Sequence, residues 1–128
     1  VTEYAVALAE KLGLNPEEVE IIGNTSRFHD IGKIGISDTI LQKPGELTAD
    51  EWDEIKKHPQ IGYDIIEPLK LIGIALPGIK HHHERFDGNG YPDGLKGENI
   101  PLSARILAIA DAYEALTSDR PYRKGKSS

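Results

Sequence analysis

The chain has 128 residues and no cysteine, a length that fits one domain with a working hydrophobic core and a composition that excludes disulfides and thiolate metal sites. Its net charge of −6 argues against a broad basic face for DNA, while leaving open a phosphate-bearing substrate where metal ions reverse the charge of an acidic site. No apolar run approaches the length of a membrane span and no signal-peptide pattern opens the chain, and the absence of cysteine is compatible with a reducing cytosol.

Residues 2–12 carry Ala5, Leu8, Ala9 and Leu12 at helical spacing, with Gly13 as a stop. Asn15-Pro16-Glu17-Glu18 restarts a helix, with Asn15 as the cap, Pro16 in the first turn and acids suited to the N-terminal dipole. This second helix is expected to run to about His29-Asp30 and to end near Gly32. Ser37-Asp38 opens a short helical stretch closed before Pro44-Gly45. Thr48-Ala49-Asp50-Glu51 is a capping box leading into Trp52 and Ile55, and His58 is expected at the end of that helix. Pro59 marks a break or a new first turn, followed by a short helix through Ile61, Ile65 and Ile66. Residues 69–84 are apolar enough for a buried helix, with a start blurred by Gly73, Pro77 and Gly78. Asp87–Gly94 is turn chemistry throughout and reads as an ordered loop. Ile106, Ile109, Ala110 and Tyr113 then give a long buried helix from about Pro101 to Thr117. No segment alternates at period two, so the expected class is all-α.

The five histidines fall at helix ends or interruptions rather than scattering over a surface: His29 beside Asp30, His58 before Pro59, and His81-His82-His83 before Glu84. Imidazole and carboxylate together make the ligand set of Mn, Fe, Co, Ni or Zn hydrolytic centres. A carboxylate can bridge two ions, so the His29-Asp30 pair suits a two-metal site with Asp30 between them. Each piece alone has an ordinary alternative. A His-Asp dipeptide is usually accidental, His58 can serve the last carbonyls of a helix, a histidine run can be a solvated patch, and Asp111 can be a hydrogen-bonded helix acid.

The order of the pieces is more specific. His29-Asp30-Ile31-Gly32-Lys33, the separate His58, the pair His82-His83 and the late Asp111 resemble the HD superfamily of metal-dependent phosphohydrolases. His82-His83-Glu84-Arg85-Phe86-Asp87-Gly88-Asn89-Gly90-Tyr91-Pro92 resembles the signature of its HD-GYP subfamily. Ile40–Gly45, Leu95–Pro101 and Thr117–Arg123 match that subfamily too, so the resemblance covers nearly the whole stretch from Phe28 to Arg123.

The resemblance implies an HD-domain helical bundle with an ordered Gly-rich loop. It also implies a bacterial phosphodiesterase domain that hydrolyses cyclic di-GMP to the linear dinucleotide or to GMP. Two divalent ions, Fe, Mn or similar, would be shared so that His29, Asp30 and Asp111 hold one and Asp30, His58, His82 and His83 hold the other. A hydroxide bridging the ions would be the nucleophile. Lys33 would meet a phosphate oxygen, Arg120 and Arg123 would contact the second phosphate, and Glu114 stands at a substrate position where the family commonly has aspartate. Arg105 would support the loop or a ligand carboxylate, and Glu84 would orient a neighbouring histidine. Tyr91 would anchor the loop, stack a base, or help dock a GGDEF-domain partner. The same likeness makes residues 1–128 a single cytoplasmic domain of a larger signalling protein. It is expected to lack a metal-ligand helix before Val1 and further helices after Arg123. Two other readings fit the same residues: an HD phosphohydrolase of another nucleotide, and a catalytically weak interaction module.

Overall fold

In the computed structural model, which describes residues 1–117, the chain folds as α1 (Thr2–Lys11), α2 (Pro16–Phe28), α3 (Asp38–Leu41), α4 (Ala49–Ile55), α5 (His58–Ile66), α6 (Leu76–His81) and α7 (Leu102–Thr117). Short 3-10 turns occupy Ile31–Gly35, Glu67–Leu69 and Gly97–Asn99, and no strand occurs among the described residues, so the all-α expectation holds. Arg120 and Arg123 lie outside the described residues.

The core forms where α1, α2 and α7 meet. Ala5 and Ala9 of α1 pack with Ile22 of α2 and with Ile106, Leu107 and Ala110 of α7, and Val1, Leu8, Leu14 and Val19 close its edges. Alanine on the facing sides lets the helix axes come close, so a small set of side chains forms the core. The start of α2 is fixed as its sequence indicates. The Asn15 side chain accepts from Glu18 N at 2.8 Å, and the Glu18 carboxylate accepts from Asn15 N at 3.1 Å. Thr48 and Glu51 form the same reciprocal pair at the head of α4.

Three boundaries differ from the sequence reading. α2 stops at Phe28, one to two residues early, and Asp30 leads into the turn Ile31–Gly35. α4 ends at Ile55, so His58 does not close it; His58 opens α5, with Pro59 in the first turn where a missing N–H costs nothing. The buried helix expected over 69–84 is confined to Leu76–His81. Lys70 (φ 52°) and Gly73 (φ 81°) take left-handed backbone, which ends helical winding ahead of it. That stretch is instead tied to α2: Asn24 Nδ2 donates to Gly73 O, and Thr25 Oγ1 accepts from Ala75 N at 2.8 Å.

The turn after α2 lies directly on the first turn of α5. A Cβ built on Gly32 would stand 1.8 Å from His58 O and 2.6 Å from Gly62 N. Only glycine allows this approach, and the approach sets Asp30 beside His58. Gly32→Ala is therefore expected to lower the unfolding free energy by about 2–3 kcal/mol. Asn15→Ala, which removes one cap, should cost about 1 kcal/mol. Urea unfolding followed by far-UV circular dichroism measures both, and equal losses would show that the close approach is not a constraint.

Candidate metal centre

Three helix ends converge on one point. His29 is the C-cap residue of α2, His58 stands three residues beyond Ile55 at the end of α4, and His82 is the C-cap residue of α6. The last carbonyls of a helix have no partner within it. Each of these histidines fills that gap with its ring: Nδ1 of His29 pairs with Ser26 O, Nδ1 of His58 with Ile55 O at 2.7 Å, and Nδ1 of His82 with Ile79 O at 2.8 Å. A carbonyl can only accept, so Nδ1 carries the proton and, in the neutral ring, Nε2 keeps its lone pair. The helix ends thus select the tautomer and aim the opposite nitrogen.

All three Nε2 atoms face Asp30. His58 Nε2 lies 3.4 Å and His82 Nε2 3.5 Å from Oδ1, while His29 Nε2 lies 3.2 Å from Oδ2. Lys33 Nζ, 3.3 Å away, shares the Oδ2 side. Asp111 on α7 adds a second carboxylate, its Oδ1 3.9 Å from His29 Nε2. His83 packs its ring against His58 and His82, with centroids 4.9 and 4.3 Å away. The six residues singled out in the sequence are therefore brought together.

The electrostatics favour positive charge on the His29 side of the cluster. Burial works to lower the pKa of His29, yet Asp111 and Asp30 outweigh it and raise the ring to about 10. Burial would raise the pKa of Asp30, but His29, His58 and His82 hold it well below the usual carboxylate range. His29 likewise lowers Asp111. The field of the two carboxylates favours positive charge beside His29, whether that charge is a proton or a metal ion. His83 behaves oppositely: burial, then His82 and His58, push it down to about 3, which leaves the neutral ring that a metal requires.

Four buried atoms of this cluster, His29 Nε2, Asp30 Oδ1, His58 Nε2 and His82 Nε2, have no hydrogen-bond partner. Buried polar atoms without partners are costly, and four of them pointing at one another are hard to reconcile with a purely structural role. Their donor set fits a divalent metal. Asp30, His58, His82 and His83 form one possible ligand group and His29, Asp30 and Asp111 another, with the ligand atoms of each within 4.8 Å of one another. Asp30 is common to both. His81, Glu84 and Asp93 meet the same distance criterion. There, however, the Glu84 carboxylate already accepts from Asp93 N at 2.8 Å, Leu95 N at 2.9 Å and the His81 ring at 3.1 Å. That group is a clasp for the loop.

The clasp explains the Gly-rich segment. Glu84 is 4% exposed and holds two backbone amides of the loop that follows it. The chain doubles back so tightly that a Cβ on Gly90 would stand 2.4 Å from both Arg85 N and His83 O. Tyr91 N then donates to His83 O, and the Tyr91 ring stacks on His83 with centroids 5.1 Å apart and planes 17° from parallel. Burial first, then Asp30 and Asp111, raise the Tyr91 phenol to about 12, so it remains protonated. Of the three successive histidines, 82 and 83 turn into the cluster and 81 turns to the clasp.

The cluster opens into a cleft of about 860 Å³ whose lining includes Lys33, His58, His83, Tyr91 and Trp52. Glu114 is not among the residues that line it. Arg105 donates from Nε to Ile100 O at 3.1 Å, supporting the end of the loop region rather than a ligand carboxylate. The cleft wall built by residues 40–55 is a feature that the sequence reading missed, since none of those residues carries metal-type chemistry.

This helical bundle gathers metal-type side chains from helix ends around one point. The described fold superposes on a crystal structure of a cyclic GMP-AMP specific phosphodiesterase from Vibrio cholerae with a TM-score of 0.69, covering 94% of this chain and 36% of that one at 19% identity. The HD domain family matches residues 1–128, and the chain belongs to it. It is 49% identical, over 97% of its length, to the cyclic di-GMP phosphodiesterase response regulator RpfG of Xanthomonas campestris. It is also 44% identical over 96% of its length to 3'3'-cGAMP-specific phosphodiesterase 2 of Vibrio cholerae. A cyclic di-GMP phosphodiesterase of Thermotoga maritima is 46% identical over 93% of the chain. The chain spans a third or less of these relatives, 33%, 24% and 33% respectively.

Glu84→Gln tests the clasp. It keeps the shape but turns one acceptor into a donor facing an amide N–H, and is expected to cost about 2 kcal/mol. Trypsin should then cut after Arg85 and Lys96 under conditions in which the wild type survives. Unchanged proteolysis would mean that other contacts hold the loop.

Proposed function

We propose that this chain is a metal-dependent cyclic dinucleotide phosphodiesterase domain of the HD-GYP kind, acting on cyclic di-GMP. The observation that carries this reading is the set of four unpartnered buried atoms around Asp30, beside an open cleft that His58 and His83 line. The names of relatives at 44–49% identity point to the same substrate class. The reading further takes residues 1–128 as one domain of a longer cytoplasmic signalling protein.

Two ions, Fe, Mn or a similar metal, are proposed: one on His29, Asp30 and Asp111, the other on Asp30, His58, His82 and His83. When bound, they would supply Lewis-acid charge and a water acidified towards neutrality. Asp30 offers one carboxylate oxygen to each side, since Oδ1 faces His58 and His82 while Oδ2 faces His29. Lys33, on the Oδ2 side and on the cleft wall, is the point charge available to a phosphate oxygen. Arg120 and Arg123 are assigned the second phosphate. Hydrolysis forms a bond from the water oxygen to phosphorus and breaks a P–O bond to ribose. A proton returns to the departing ribose oxygen. Tyr91, kept protonated and stacked on His83, positions that ring. A GGDEF-domain partner docking on the loop would meet exposed Phe86 rather than the Tyr91 face.

The relatives named for 3'3'-cGAMP support a second substrate reading at the same centre. Both are tested by loading the domain with Mn or Fe, alone and within the longer protein proposed to carry it, and following each cyclic dinucleotide. Cyclic di-GMP should be cleaved, and Asp30→Ala should lower the rate on the order of 1,000-fold with loss of bound metal. Preferential cleavage of 3'3'-cGAMP would favour the second reading. Metal-loaded protein that cleaves neither would favour an interaction module.

A further inference from the structure

The proposed chemistry uses one end of the cleft and leaves the other unexplained. Beyond His58 and Tyr91 the wall is made by Ile40 and Leu41 of α3, Trp52 and Ile55 of α4, and Lys43 of the connection between them. Trp52 is 48% exposed, on a helix whose start is fixed by a reciprocal cap. A large aromatic left half in water on a rigid element, facing a mostly apolar cleft, is the form of a ligand-stacking face. Lys43 Nζ is held 2.6 Å from Glu51 Oε1, and the same Glu51 oxygen accepts from Thr48 N at 2.8 Å. The ion pair ties the α3–α4 connection to the helix that carries Trp52. One ammonium hydrogen is committed to Glu51, and two remain free to donate along the cleft wall.

We infer that this arm is a guanine pocket, in which Trp52 stacks the base and Lys43 donates to its acceptor edge. The inference rests on the cyclic dinucleotide reading above and names the part of the substrate that this arm recognises. Guanine presents N7 and O6 as adjacent acceptors, whereas adenine replaces O6 with an amino donor. A lysine at the edge of the ring therefore favours guanine, and the apolar floor of Ile40, Leu41 and Ile55 accepts the purine face. Trp52 and Lys43 are specificity-determining residues and contribute nothing to the metal cluster.

Trp52 is the only tryptophan in the chain, so its fluorescence reports on this arm alone. Titrating metal-free protein with cyclic di-GMP should quench that emission saturably, and cyclic di-AMP should need roughly 10-fold higher concentration. Lys43→Met should erase that difference. With metal-loaded protein, Trp52→Leu should lower kcat/KM for cyclic di-GMP by roughly 10- to 100-fold, mainly through KM. Bound metal in Trp52→Leu, measured by atomic emission, should stay at the wild-type level, because Trp52 is not among the proposed ligands. Quenching without turnover supports the pocket and counts against the phosphodiesterase reading. Turnover with no quenching and an unchanged KM in Trp52→Leu overturns the pocket and leaves the phosphodiesterase reading standing.

Discussion

The arrangement depends on the hydrogen bond from a histidine ring to the carbonyl three residues earlier at a helix end. It occurs at Ser26, Ile55 and Ile79, and each time it does two things. It satisfies a carbonyl that the helix leaves without a partner, and it fixes which ring nitrogen is free. The free nitrogens then meet around Asp30. Helix termination and the aim of the free ring nitrogens are here one and the same interaction.

Bringing three helix ends together requires close approach elsewhere. Gly32 lets the turn after α2 touch α5, and the alanines of α1 and α7 let those helices seat α2 against the core. α7 carries Asp111 into the cluster immediately after the core residue Ala110. On the far side, Glu84 and Gly90 fold the loop back so that Tyr91 covers His83. Each device is local, and together they leave one polar point open to a cleft. The buried unpartnered atoms there are arranged so that one cation could satisfy several of them together.

Much of this was legible in the chain. Asn15 with Glu18 and Thr48 with Glu51 announce their helices because capping is a short-range interaction. His29, Asp30, His58, His82, His83 and Asp111 were readable as one cluster through their order and their likeness to a known pattern. What was not legible depended on contacts between distant segments. The stretch before α6 looked helical by composition, but Lys70 and Gly73 adopt left-handed backbone and Thr25 and Asn24 hold the segment to α2. Glu84 was expected to orient a neighbouring histidine; it does bond His81, yet its main partners are amides nine and eleven residues along. The Trp52 wall carried no signal, since an aromatic beside a capping box reads as core until its exposure is known.

The helix-end carbonyls leave the Nε2 atoms of His29, His58 and His82 free to meet a cation beside Asp30. Anomalous diffraction from crystals grown with Mn tests it most directly. Density is expected beside Asp30, at about 2.0–2.3 Å from those Nε2 atoms, with each Nδ1 still bonded to its carbonyl. Metal held through Nδ1, or bound at His81, Glu84 and Asp93 with none beside Asp30, would contradict it.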